Sequence, residues 1–198
     1  MIKTLLLICW LHCLAPIVFA QHKTVDAFNQ QRLNLTKKSM QVLGGWATAN
    51  IITSAFSLKT NNPDAYYFHQ MNIMWNSVNL ALSGLGYWGA VKNKKVETDL
   101  ASSIKHQQKT EKLFLFNAGI DVAYIAAGGY LKQKSKNNSK GPKLNGYGNA
   151  VILQGSFLFL FDMINYAIHV KHGKQLDKFI PNLQVSPGGA GIAAVYNF

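Results

Sequence analysis

Cysteine, arginine and acidic side chains are scarce in this 198-residue chain. The two cysteines, Cys9 and Cys13, both fall within residues 1–20, which read as an export leader. Lys3 precedes an apolar run from Leu5 to Val18, and Val18-Phe19-Ala20 forms a small-residue cleavage step before Gln21. A chain cut there holds no cysteine, which excludes disulfides, thiolate catalysis and cysteine-held metals. Ile8 and His12 stand where a lipoprotein signal needs a small residue, so lipidation is not expected. Arg32 is the single arginine beside 19 lysines, and only 8 Asp and Glu offset them. Charged residues make up 14% of the chain against 48% hydrophobic, too apolar a balance for a disordered polymer.

Where the charge is missing matters more than its total. Four stretches, 39–58, 67–91, 112–131 and 148–170, hold no basic residue except Lys112 at the edge of the third, and none holds proline. Each is close to the ~20 residues that cross a hydrocarbon layer. Pro63, Pro142, Pro181 and Pro187 fall in the connections. Aromatic residues mark the ends, with Tyr66, Tyr67, Tyr130 and Tyr147 at one side and Tyr87 and Trp88 at the other. The expected fold class is therefore all-α: a four-transmembrane-helix bundle after a cleavable signal peptide. A polar segment at 21–38, a membrane domain at 39–170 and a short irregular C-terminal tail at 171–198 complete the organisation. Lysines confined to connections argue for a lipid bilayer as partner and against nucleic acid.

The lysine-rich connections are expected at 92–111 and 132–146, the second a turn-rich linker through Asn137-Asn138-Ser139. Its lysines read as a solvated face against anionic headgroups. Sidedness is contradictory. The side holding the mature N-terminus carries 13 basic residues against 6 on the other. Positive charge places that side in the cytoplasm, whereas a cleaved leader places it outside.

The spans themselves carry polar stripes. His69, Asn72, Asn76, Asn79 and Ser83 recur at steps of three and four, as do Asp162, Asn165 and His169, and Asn117 with Asp121. Lipid cannot hydrogen-bond such groups, so they should face the bundle interior. By helical rise, Asp121 and Asp162 reach similar depths, ~13 Å and ~12 Å from one face. Asn50 and Asn79 fall near mid-membrane, with Asn76 and Gln154 beyond, which predicts one continuous polar column. The candidate network is Asp121, Asp162, Asn165, Asn117, Asn79, Asn76, Asn50 and Gln154. Three uses are open to it: pinning helix register, relaying a proton or ion between the carboxyls, or lining a polar small-molecule pocket.

Other sites fail on placement. His69 and His169 belong to opposite ends of their spans and cannot share a haem, and His106 and His172 are expected to be solvated. No zinc spacing, nucleophile elbow, phosphate loop or dinucleotide fingerprint occurs, so no cofactor or metal is expected. Gly146-Tyr147-Gly148 reads as a turn. Ile192, Ala194, Tyr196 and Phe198 alternate like a barrel's terminal strand, but one strand builds no barrel.

Two motifs match across the chain: Trp75-Asn76-x-x-Asn79 and Phe161-Asp162-x-x-Asn165 share an aromatic, an Asn or Asp and a further Asn at equal spacing, compatible with a duplicated helical hairpin. With Gly44-Gly45-Trp46, Asn50 and Asn117-x-x-x-Asp121, the chain resembles a family of uncharacterised four-helix membrane proteins from Bacteroidota-type bacteria over residues 30–198. That resemblance implies a fold and a membrane address, and no chemistry. The expected function is that of a non-enzymatic structural or interaction protein of the bacterial cell membrane, inner rather than outer, with a protein partner or a second copy. The alternative is a small transporter or proton- or ion-coupled protein using Asp121 and Asp162.

Overall fold

A computed structural model describes residues 2–92, 99–178, 183–188 and 191–196, of which 2–24, 178 and the last two segments are described by backbone alone. Four helices dominate: α1 (Ile2–Ser57), α2 (Pro63–Lys92), α3 (Leu100–Ser135) and α4 (Gly141–Gly173). A 3-10 turn, Lys174–Lys178, continues α4. The expected leader falls where side chains lie outside the described part; from Ile2 its backbone is the first part of α1.

Helix starts follow local chemistry. Asn62 Oδ1 accepts from the N–H groups of Asp64 (2.9 Å) and Ala65 (3.3 Å), with Pro63 opening α2. Asp99 caps α3 through Ser102 N–H at 2.9 Å, and this bond holds its carboxyl below the ordinary carboxylate range. Pro142 lies in the first turn of α4, after a bend in which Asn138 Oδ1 accepts from Lys140 N–H at 2.9 Å.

The helices are longer than the four apolar stretches. Residues 21–38, expected as a polar segment, are the middle of α1. Most of the expected 92–111 connection is the first turns of α3, and the 132–146 linker shrinks to 136–140. The reason is periodic burial: Ser103, Gln107, Phe114, Ala118, Asp121 and Gly128 follow one stripe, while Lys105 and Lys109 point out. Charge on the outer face had masked the helix.

Neighbouring helices pack in the order α1, α2, α4, α3, with α2 and α4 parallel at the centre. Gly146 and Gly148 lie within α4 rather than in a turn. A Cβ on Gly148 would stand 2.7 Å from the Gly128 carbonyl of α3, so the two backbones approach too closely for any side chain there. The tail is not irregular. Leu183–Gly188 and Gly191–Tyr196 pair antiparallel, with Gly188 opposite Gly191 and the alternation of Ile192, Ala194 and Tyr196 carried by the second strand. Pro187 is tolerated because a two-stranded ribbon has only edge strands.

Candidate polar site in the bundle interior

The interior is polar where a water-soluble bundle is apolar. Asn76, Gln154 and His169 are fully buried, whereas Phe56 is 83% and Phe116 68% exposed. Two segments, Leu100–Ser135 and Gly141–Asp177, are long and apolar enough to cross a membrane; among the described residues α1 and α2 do not reach that average.

The largest network joins α1, α2 and α4 beneath the 58–62 turn. Asn72 is its hub. Its Nδ2 donates to Asn50 Oδ1 and to Ser54 Oγ, both at 2.9 Å, and its Oδ1 accepts from Gln154 Nε2. Gln154 Oε1 in turn accepts from Trp46 Nε1 at 2.9 Å. Asn76 Nδ2 donates to the Asn72 carbonyl at 2.8 Å, and Asn79 extends the chain weakly to Asn76 Oδ1 at 3.5 Å. His69 Nδ1 stands 3.3 Å from Ser54 Oγ at the outer end.

An aromatic ladder separates this network from the other end. Trp46 stacks on Phe157, Phe157 on Phe161, and Phe161 meets Phe114 edge-on. The predicted single polar column is therefore interrupted. Apolar rings fill the levels where α4 turns Phe157 and Phe161 inward, and Leu43 closes the same layer.

Asp121 and Asp162 are neighbours across the α3–α4 seam, and both are buried. The close crossing sets the pair: a Cβ on Gly155 would lie 3.2 Å from the Asp121 carbonyl. Asp121 Oδ2 has no partner among the described residues. Two carboxylates lack a donor, so a bond between them requires a proton on one, and a bound cation is the other way to hold them together.

Toward the α4 C-terminus a second cluster joins α1, α3 and α4. Ser39 Oγ donates to Asn165 Oδ1, and Asn165 Nδ2 donates to the Phe161 carbonyl at 2.7 Å. Further down, Gln107 Nε2 donates to the His169 carbonyl at 2.6 Å and to Glu111 Oε1 at 2.8 Å. Gln107 Oε1 stands 3.2 Å from His172 Nδ1. Asn29 Nδ2 donates to Ser103 Oγ at 2.7 Å. His172 is buried and stacked on Phe28 at 4.1 Å, not solvated, because the 21–38 part of α1 covers it. His169 stacks on Phe114 with neither ring nitrogen partnered among the described residues. It lies at the opposite end from His69.

The expected residues thus divide among three places: Asn50, Asn76, Asn79 and Gln154 in one network, Asp121 with Asp162, and Asn165 below. Asn117 is half-buried and outside all three. The candidate network omits Asn72, its hub, which enters only as part of the α2 stripe, and Trp46, which enters only through the Gly44-Gly45-Trp46 motif; sequence reasoning missed Ser54, Ser39, Ser103 and Gln107. The last two carried a usable signal, since 103, 107, 114 and 121 continue one helical stripe. Among the described residues no three His, Cys, Asp or Glu side chains converge as a metal site would require.

The chain belongs to a family of unknown function (DUF6992), which matches residues 42–163. No curated protein and no solved structure matches it.

Proposed function

We propose that this member of the family is a non-enzymatic integral membrane protein in which all four helices cross the bilayer and buried amides fix their register. The observation carrying this reading is the inverted polarity of the bundle. Asn72, Asn76, Asn79 and Ser83 of α2 are buried, while Met74, Val78, Leu82 and Leu85 on its other face are all more than half exposed. An amide-rich inner stripe lowers the average for α2 although its outer face is as apolar as lipid demands. Val42, Ile52 and Phe56 make the same face on α1. Helical spans favour the inner bacterial membrane over the outer, and so large an apolar surface suits lipid together with a partner helix or a second copy. The protein should stay with membranes through an alkaline carbonate wash and leave them only in detergent. Release into buffer as a monodisperse species overturns the reading.

A second reading, proton or cation coupling, is favoured by one observation: the Asp121–Asp162 contact with its unpartnered oxygen. Purified protein in sealed vesicles under a proton or sodium gradient tests it. If the pair is structural, Asp121→Asn and Asp162→Asn fold and leave the vesicles' permeability unchanged. If it is functional, wild-type protein conducts and the folded variants do not.

A further inference from the structure

We infer that the cleft among the ends of α2, α3 and α4 is a binding site for the headgroup of an anionic phospholipid; the inference rests on the four-span reading above. The cleft is shallow and open to its surroundings, with a volume of about 640 Å³, and is lined by Asp64, Lys132, Lys136, Gly141 and Asn145, with Gly129 at its side. That volume is within the range of small-molecule sites and suits a glycerophosphate group. A Cβ at Gly129 would meet nothing within 4 Å, so the approach along α3 is open.

Its height in the bundle identifies the ligand. Lys132 follows directly on the apolar run of α3, and the exposed Tyr130 lies one half-turn below. Tyr66, Tyr67 and Tyr147 belong to the same end, the level at which aromatic residues meet lipid phosphates. Neighbouring lysines are already engaged with rings: Lys134 Nζ is 6.0 Å from the Tyr130 centroid, and Lys143 Nζ is 5.4 Å from that of Tyr147. Lys132 and Lys136 have no such ring and no ion pair among the described residues, so the two lysines of the lining are uncommitted. Asp64 is the opposing charge on its wall, so the lining is positive by one, and a phosphodiester is the complement.

Thermal unfolding of the detergent-purified full chain tests the site, with phosphatidylglycerol, phosphatidylcholine or free glycerol phosphate added. Phosphatidylglycerol should raise the midpoint saturably, and the other two should not. Lys132→Gln with Lys136→Gln should weaken the apparent affinity about 30-fold, taking each lysine at about 1 kcal/mol. Lys105→Gln with Lys109→Gln, an equal charge change at the other end, should leave it unaltered, and Asp64→Asn should tighten it. Equal loss in the Lys105/Lys109 variant, or none in the Lys132/Lys136 variant, overturns the site. Saturation by free glycerol phosphate at the same affinity overturns the lipid assignment. A protein that needs no detergent fails the membrane reading, whereas one that needs detergent and ignores both lysines fails this inference alone.

Discussion

The amide network beneath the 58–62 turn and the histidine cluster near the α4 C-terminus are both polar and buried, yet they are closed to different degrees. Between Gln154 and His172 they stand ~27 Å apart along α4. In the first, every amide of Asn72 and Gln154 finds a side-chain partner from another helix, so three helices are tied at one level. In the second, Gln107 bridges α3 to α4, but both ring nitrogens of His169 and Nε2 of His172 lack partners among the described residues. The first is ringed by exposed apolar faces. The second lies partly beyond the apolar stretches: His169 falls within the fourth, but Asn29, Ser103, Gln107 and His172 come from helix that extends past them. The match to the family ends at residue 163, so it takes in the whole first network but omits Asn165, His169 and His172. The lesson is that closure of a buried network, more than burial itself, marks where the bundle depends on polar contacts. On the four-span reading, a donor inside hydrocarbon has only protein to turn to.

That difference can be broken most directly at Asn72. Asn72→Ala removes the acceptor of Gln154 and Asn76 and the donor to Asn50 and Ser54 in one step. Single interhelical hydrogen bonds in membranes are worth ~0.6–2 kcal/mol, and a stranded buried amide adds a further penalty. Gln154 keeps Trp46 and a long contact to Asn50 at 3.4 Å, which limits the damage. The expected loss is about 3 kcal/mol, read as unfolding in mixed micelles of increasing dodecyl sulfate fraction. A cost below that of any substitution in the histidine cluster reverses the comparison.

The sequence made some of this visible and not the rest, for physical reasons. Asn72, Asn76 and Asn79 are large polar groups at steps of four and three, and nothing but an inward face explains them inside an apolar run. The meeting of Asp121 and Asp162 follows from equal depth on two helices. Single hydroxyls such as Ser39 and Ser54 give no such signal, since a serine can bond its own helix whichever way it faces. Gln107 was hidden by Lys105 and Lys109, whose exposed charge made a helix look like a connection. Asn117 shared the stripe spacing of Asp121 yet stays outside the networks, because four residues of helix rotate it partly away from the α4 seam. The interruption of the column was out of reach: that Phe157 and Phe161 fill the gap depends on how α4 crosses α3 at glycine.

Gln107→Ala sharpens the same contrast from the weaker side. The His169 carbonyl that Gln107 caps also lies in α4's own helical ladder, and Glu111 is only half-buried and can turn to water. What is stranded is chiefly His172 Nδ1, in a cluster already carrying unsatisfied ring nitrogens. The cost should be about 1 kcal/mol, a third of that at Asn72. Its place should be equally restricted. Amide hydrogen exchange should rise in 103–111 and 169–172, where α1 covers the cluster, and stay unchanged at Asn50, Asn72 and Gln154. If exchange rises in both regions together, the aromatic ladder of Trp46, Phe157, Phe161 and Phe114 transmits rather than separates, and the two ends unfold as one unit.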